Sequence, residues 1–140
     1  FFFCIIVLFH YISGGSVKRL ILIVDDDPVI HVSLMSVLFS DHIEVYSLHN
    51  SLDALRWLET SSVDLIICDV GLPRMNGLEF VRQLRKKNRM VGIIFFTGVS
   101  AQVKREDVID LNVYSVMNKG DFDVHSFKQN VDQYLFGVLA

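Results

Sequence analysis

The chain has 140 residues, 51% of them hydrophobic, with 13 basic and 16 acidic side chains and a net charge of −3. This is the size of one domain with enough apolar surface for its own core, which excludes a disordered chain, and the lack of a basic excess removes the electrostatic footprint of direct nucleic-acid binding. Cys4 and Cys68 cannot form a disulfide framework and no His or Cys pair has zinc-site spacing, so a stapled secreted fold and a structural zinc site are excluded and a cytoplasmic location is expected; His10, His31, His42, His49 and His125 read as surface or packing residues.

Phe1 to Ile12 is apolar but shorter than the roughly 20 residues that cross a bilayer, and no basic segment precedes it. Two readings of residues 1–16 stand: the remnant of a membrane helix followed by the Ser13-Gly14-Gly15-Ser16 linker, or an adventitious leader. In both the domain is expected to occupy residues 17–140.

Leu20 to Val24 is continuously apolar and β-branched, as in a strand buried on both faces, and it runs into Asp25, Asp26, Asp27 and Pro28. Pro28 suits the first turn of a helix and Asp27 the cap before it, with Ile30, Leu34, Val37 and Leu38 on one face. Ile43 to Ser47 reads as a short strand, and Ser51 to Glu59 as a helix with Leu52, Leu55 and Leu58 spaced for burial. Leu65 to Cys68 is a second apolar run of strand length that stops at Asp69; Pro73 and Gly77 punctuate the loop, and Asn76 with Glu79 has the spacing of a capping pair. The helix from Gly77 to Lys87 points Leu78, Val81 and Leu84 inward and Arg82, Arg85, Lys86 and Lys87 toward water or its C-terminus. Val91 to Phe96 is a third apolar strand ending in Thr97 and Gly98. A weaker helix at about Ala101 to Leu111 precedes a strand at Tyr114 to Met117, which ends with Asn118 and Lys119. Phe127, Val131, Tyr134, Leu135 and Val138 mark a final amphipathic helix.

Five strand-helix repeats with short connections predict an α/β fold, a parallel sheet with helices on both faces and right-handed crossovers. Strand ends in such a sheet share one edge, where open α/β folds keep their ligands, so Asp25, Asp26, Asp69, Thr97 and Lys119 are expected there together. Carboxylates roughly 4 Å apart repel by about 4 kcal/mol per pair at an effective dielectric of about 20, and they need a cation. Lys119 supplies one positive charge; the remainder matches Mg²⁺, which prefers carboxylate oxygens and water. Such a site suits acceptance of a phosphoryl group.

The segments ILIVDDDP at 21–28, DLIICDVGLPRMNG at 64–77, IIFFTG at 93–98 and Lys119 together resemble the receiver domain of two-component response regulators, in register from about Lys18 to Leu139. The resemblance implies a flavodoxin-like, doubly wound five-stranded sheet of order 2-1-3-4-5. It further implies phosphorylation of Asp69 by a histidine kinase or phosphotransfer protein, and Mg²⁺ held by Asp26, Asp69 and the Gly71 carbonyl, with Asp25 reaching the metal through water. Thr97 and Lys119 would bind the phosphoryl group, and the protein would act as an enzyme on nothing beyond its own phosphorylation and dephosphorylation. A fused output domain or separate effector is left open, and self-association is expected through residues 101–119.

Four positions depart from the pattern. Gly120 stands where a proline is usual, which leaves the turn at Lys119 unfixed. Val116 replaces a common switch aromatic, with Tyr114 nearby; Asn112 replaces a glycine and tolerates left-handed geometry; Gly71 offers only backbone. Two other readings follow. One is a pseudo-receiver binding module. The other is a hydrolase resembling the haloacid dehalogenase phosphatases, with Asp25 as nucleophile and Asp27 completing its DxD, which leaves Asp69 and Pro73 without a role.

Overall fold

The computed structural model describes residues 17–137; the leader at 1–16, with Cys4 and His10, and Val138 of the last helix lie outside the described residues. Five parallel strands form one sheet in the order β2-β1-β3-β4-β5: β1 (Arg19–Val24), β2 (Ile43–Leu48), β3 (Leu65–Cys68), β4 (Gly92–Thr97) and β5 (Ser115–Asn118). The connecting helices are α1 (Pro28–Leu38), α2 (Ser51–Thr60), α3 (Gly77–Lys86), α4 (Arg105–Asp110) and α5 (Val124–Phe136). This is the doubly wound, flavodoxin-like order that the resemblance implies.

The strands read as unbroken apolar runs because alternate residues feed two cores. Leu22, Val24, Ile66, Cys68, Ile93 and Phe95 pack with Ala54 and Leu58 of α2 and Phe80, Val81 and Leu84 of α3. Ile21, Ile23, Leu65, Ile67, Ile94 and Phe96 pack on the other face with Leu34 and Leu38 of α1 and Phe127, Val131 and Leu135 of α5. A strand covered on both faces has no polar position to show.

Local turn chemistry sets the helix starts. Asp27 accepts from the Val29 N–H at 2.9 Å with Pro28 in the first turn, as expected. Asn76 accepts from the Glu79 N–H at 2.9 Å, but the Glu79 carboxylate does not complete a reciprocal cap; it accepts from Gln83 at 2.8 Å instead. Gly77 opens α3 because a Cβ there would run into the Asp69 carbonyl, so only glycine lets the helix approach this close.

The structure alters some of the expected faces. In α2 the buried residues are Ser51, Ala54 and Leu58, with Leu55 only partly covered, and in α3 Phe80 joins Val81 and Leu84 inside while Leu78 is partly covered. The helix expected over about 101–111 divides into a 3₁₀ turn, Ser100–Gln102, and the short α4, which buries none of its own residues. Among the described residues of that range only Leu111, just past α4, is buried, and Val103 and Val108 give partial cover, which is little apolar surface to hold a longer helix. The last strand runs one residue later than expected, although the Tyr114 N–H still donates to the Ile93 carbonyl at 2.9 Å. Arg85, in the last turn of α3 and part-buried, donates its guanidinium to the carbonyls of Leu111 (2.7 Å), Arg89 (2.7 Å), Val91 (3.0 Å) and Asn112 (3.3 Å). It ties the end of α3 to the entry of β4 and to the turn before β5.

Candidate functional site

Register carries the acids to one place. Val24, Cys68, Phe95 and Val116 are successive partners across β1, β3, β4 and β5, so the residues immediately after them stand level at the carboxyl edge. Asp25 and Asp69 are the first residues beyond β1 and β3, and the Asp69 N–H donates back to the Val24 carbonyl at 2.9 Å. Asp25 is 2% exposed and Asp69 8%, while Asp26 is exposed. Carboxylate oxygens of Asp25, Asp26 and Asp69 lie within 4.8 Å of one another. Asp27 is directed away, its side chain spent on the α1 cap.

Lys119 arrives from the end of β5. Its Nζ donates to Asp25 Oδ2 at 2.6 Å and to Asp69 Oδ2 at 3.1 Å, and it sits 5.9 Å from the centroid of the Phe96 ring. The other carboxylate oxygens are held by backbone: Asp25 Oδ1 accepts from the Asp27 N–H at 2.9 Å and Asp69 Oδ1 from the Gly71 N–H at 3.2 Å. Burial pushes the Asp25 carboxyl above its usual range against the pull of Lys119. For Lys119 burial is the largest single influence and works downward, yet the hydrogen bond to Asp25 and the charges of Asp25 and Asp69 together raise it, so it remains an ammonium ion. Three carboxylates against one ammonium leave two negative charges. An all-oxygen donor set with that residual charge fits a hard divalent cation such as Mg²⁺.

Thr97 ends β4 and is fully buried; its hydroxyl accepts from the Val99 N–H at 3.2 Å and makes no hydrogen bond to Asp69 or Lys119. The structure thus brings Asp25, Asp26, Asp69 and Lys119 into one cluster, seats Gly71 against Asp69, and leaves Thr97 at the same edge but bonded within its own loop. Asn112 adopts the left-handed conformation expected of it, at φ 51. Val116 is partly buried against the core cluster that includes Phe95 of β4, and the exposed Tyr114 meets Tyr134 edge-on with ring centroids 4.8 Å apart. Cys68 is a core residue whose thiol is pushed well up by burial and then by the neighbouring carboxylates.

Two residues that support the site were not singled out in the sequence. His31 of α1 is buried, and its Nε2–H donates to the Asp25 carbonyl at 2.5 Å, behind the carboxylate cluster; no local pattern announces this bond. Asn118 accepts from the Gly120 N–H at 2.7 Å through its own side chain and donates to Ser100 Oγ at 2.9 Å. An Asn two residues before a Gly is an Asx-turn signal that could have been found.

The sequence matches the family model of the response regulator receiver domain over residues 21–132. It is 35% identical over 103 residues to the cyclic di-GMP phosphodiesterase response regulator RpfG of Xanthomonas campestris pv. campestris, covering 71% of this chain and 27% of RpfG. It is 30% identical over 102 residues to the alkaline phosphatase synthesis transcriptional regulatory protein PhoP of Bacillus subtilis, covering 73% of this chain and 42% of PhoP. The chain therefore spans well under two thirds of the length of either relative. Among solved structures, the response regulator protein TrrA of Thermotoga maritima in complex with Mg(2+)-BeF superposes with a TM-score of 0.73 at 30% identity, covering 84% of this chain and 100% of that one.

Proposed function

The chain belongs to the response regulator receiver domain family of two-component signalling, and from this premise we propose that Asp69 is the phosphoacceptor of the domain at residues 17–140. The observation that carries the proposal is the Asp69 carboxylate itself, nearly sealed from water at the end of β3, bonded to Lys119 and the Gly71 N–H, within the acidic cluster. One Asp69 oxygen forms the bond to phosphorus as the donor's P–N or P–O bond breaks, the leaving group keeping the electron pair. Lys119 stays within reach of the transferred oxygens, and the Thr97 hydroxyl, an acceptor for the Val99 N–H, retains its proton for one of them. Asp26, Asp69 and the Gly71 carbonyl would hold Mg²⁺, with Asp25 reaching it through water. When bound, the ion neutralises charge on the transferring group and draws the acids together.

The donor is a histidine kinase or phosphotransfer protein acting in the cytoplasm, the chemistry stops at the protein's own aspartate, and self-association uses residues 101–119, where Ile109 and Tyr114 are exposed. Among the described residues no helix is long and apolar enough to cross a membrane. The phosphatase reading is not favoured, because Asp27, the second member of its DxD, is committed to the α1 cap.

The test is incubation with acetyl phosphate and Mg²⁺. One acid-stable, base-labile phosphoryl group is expected on the wild type and none on Asp69→Asn, and Asp26→Ala should abolish thermal stabilisation by millimolar-range Mg²⁺. Label that survives Asp69→Asn but is lost in Asp25→Asn would restore the phosphatase reading; Mg²⁺ stabilisation without any label would make the chain a pseudo-receiver.

A further inference from the structure

Gly120 was expected to leave the Lys119 turn unfixed, and the structure shows what holds it instead. The Lys119–Asp121 segment is a single 3₁₀ turn in which the Gly120 N–H donates to Asn118 Oδ1 at 2.7 Å. The same side chain reaches in the other direction, its Nδ2 donating to Ser100 Oγ at 2.9 Å in the loop that follows Thr97. Residues 118 and 120 are fitted to each other. A Cβ at 120 would stand 3.1 Å from Asn118 Oδ1, tighter than ordinary contact, and a proline there would have no N–H to give. Because Thr97 and Asn118 are register partners at the ends of β4 and β5, the amide bridges the two loops at the level of the acidic cluster.

A continuous set of bonds results. Thr97 Oγ1 accepts from the Val99 N–H, the adjacent Ser100 accepts from Asn118, Asn118 accepts from Gly120, and Lys119 between them binds Asp25 and Asp69. Resting on the phosphoacceptor reading of Asp69, we propose that Asn118 is a positioning residue for Lys119, holding the ammonium over the acceptor and tying it to the Ser100 loop through hydrogen bonds in place of a rigid ring. Asn118 touches neither the donor nor the reacting atoms; it acts through the lysine.

The experiment uses the full chain with Asn118→Ala, Asn118→Asp, Gly120→Pro and the double variant Asn118→Ala/Gly120→Pro. Three quantities are read: amide exchange at Gly120, the rate at which an amine-directed reagent modifies Lys119, and the maximal rate of labelling by acetyl phosphate across a Mg²⁺ titration. In Asn118→Ala the Gly120 amide should lose protection, Lys119 should be modified faster, and labelling should slow about tenfold, one hydrogen bond's effect carried fully into the transition state, with an unchanged Mg²⁺ midpoint. Asn118→Asp, whose carboxylate can accept from both the Gly120 N–H and the Ser100 hydroxyl, should keep Gly120 protected with the Ser100 link reversed in direction. The double variant should be no slower than the slower single variant, because both break the same bond. Multiplying effects, a Gly120 amide unprotected in the wild type, or Lys119 modification that Asn118→Ala leaves unchanged would overturn the proposal. Absence of label in the wild type would count against the acceptor reading alone, since the exchange and modification measurements still decide the role of Asn118.

Discussion

The two sides of the sheet are built to different standards. Around β1 and β3, Ile21 to Val24 and Leu65 to Cys68 are buried without exception, with Phe80 fully enclosed beneath them. On the β5 side each strand residue is only partly buried, α4 buries nothing, and Ile109 is 65% exposed. The acids that must keep their spacing stand on the first side. The groups that would report a change, the Thr97 loop and the Lys119 turn, stand on the second or at its border. Regions with little buried apolar contact open at lower free energy than the core, so the acidic cluster stands on the firmly packed side and the Lys119 turn on the side that opens more readily.

Four outcomes would sharpen or break that contrast. The largest belongs to Phe80→Ala, which should cost about 3–5 kcal/mol in urea unfolding, as for other large aromatic deletions from a core. Gly77→Ala should cost about 1–3 kcal/mol, since its Cβ has no room beside the Asp69 carbonyl, and it should also weaken Mg²⁺ stabilisation by displacing that backbone. On the other side Ile109→Ala should change stability by no more than about 0.5 kcal/mol; a loss comparable to that of Phe80→Ala would mean that α4 is as firmly built as the core.

The smallest effect is read in pH. The carboxylates raise the Lys119 pKa in the folded state over the opposing pull of burial. A raised cation favours the fold fully below its unfolded value of about 10.4, and the benefit disappears as pH climbs through the folded value. Without Mg²⁺, the wild type should therefore lose stability above about pH 10 more steeply than Lys119→Met. Parallel curves would show that the ion pair contributes nothing to folding, and that the cluster depends on its strands alone.

Gly120 removes a rigid element from the Lys119 turn, and Asn118 supplies hydrogen bonds there. Val116 stands where an aromatic ring is common, and a partly buried valine has little surface to exchange between states. What this side does contain is the Asn118 bridge between the Lys119 turn and Ser100.

Much of this molecule could be derived from short stretches of chain. The apolar runs at Leu20–Val24 and Leu65–Cys68, the Asp27 and Asn76 caps, and the acids at the strand ends are all consequences of local periodicity and turn chemistry, which operate between residues a few positions apart. These suffice for a parallel sheet with Asp25, Asp26, Asp69 and Lys119 on one edge, whereas the order 2-1-3-4-5 was legible only through the family resemblance. Tertiary structure decided which groups touch. Lys119 meets Asp25 across 94 positions, Arg85 collects four carbonyls from two separate loops, and His31 bonds behind Asp25. Thr97, which stands at the same edge, bonds within its own loop, and the apolar residues near α4 were too few to sustain the longer helix their spacing suggested. A hydrogen bond is decided within a few tenths of an ångström and a helix by what it can bury, and both depend on how distant segments pack, which local spacing does not encode.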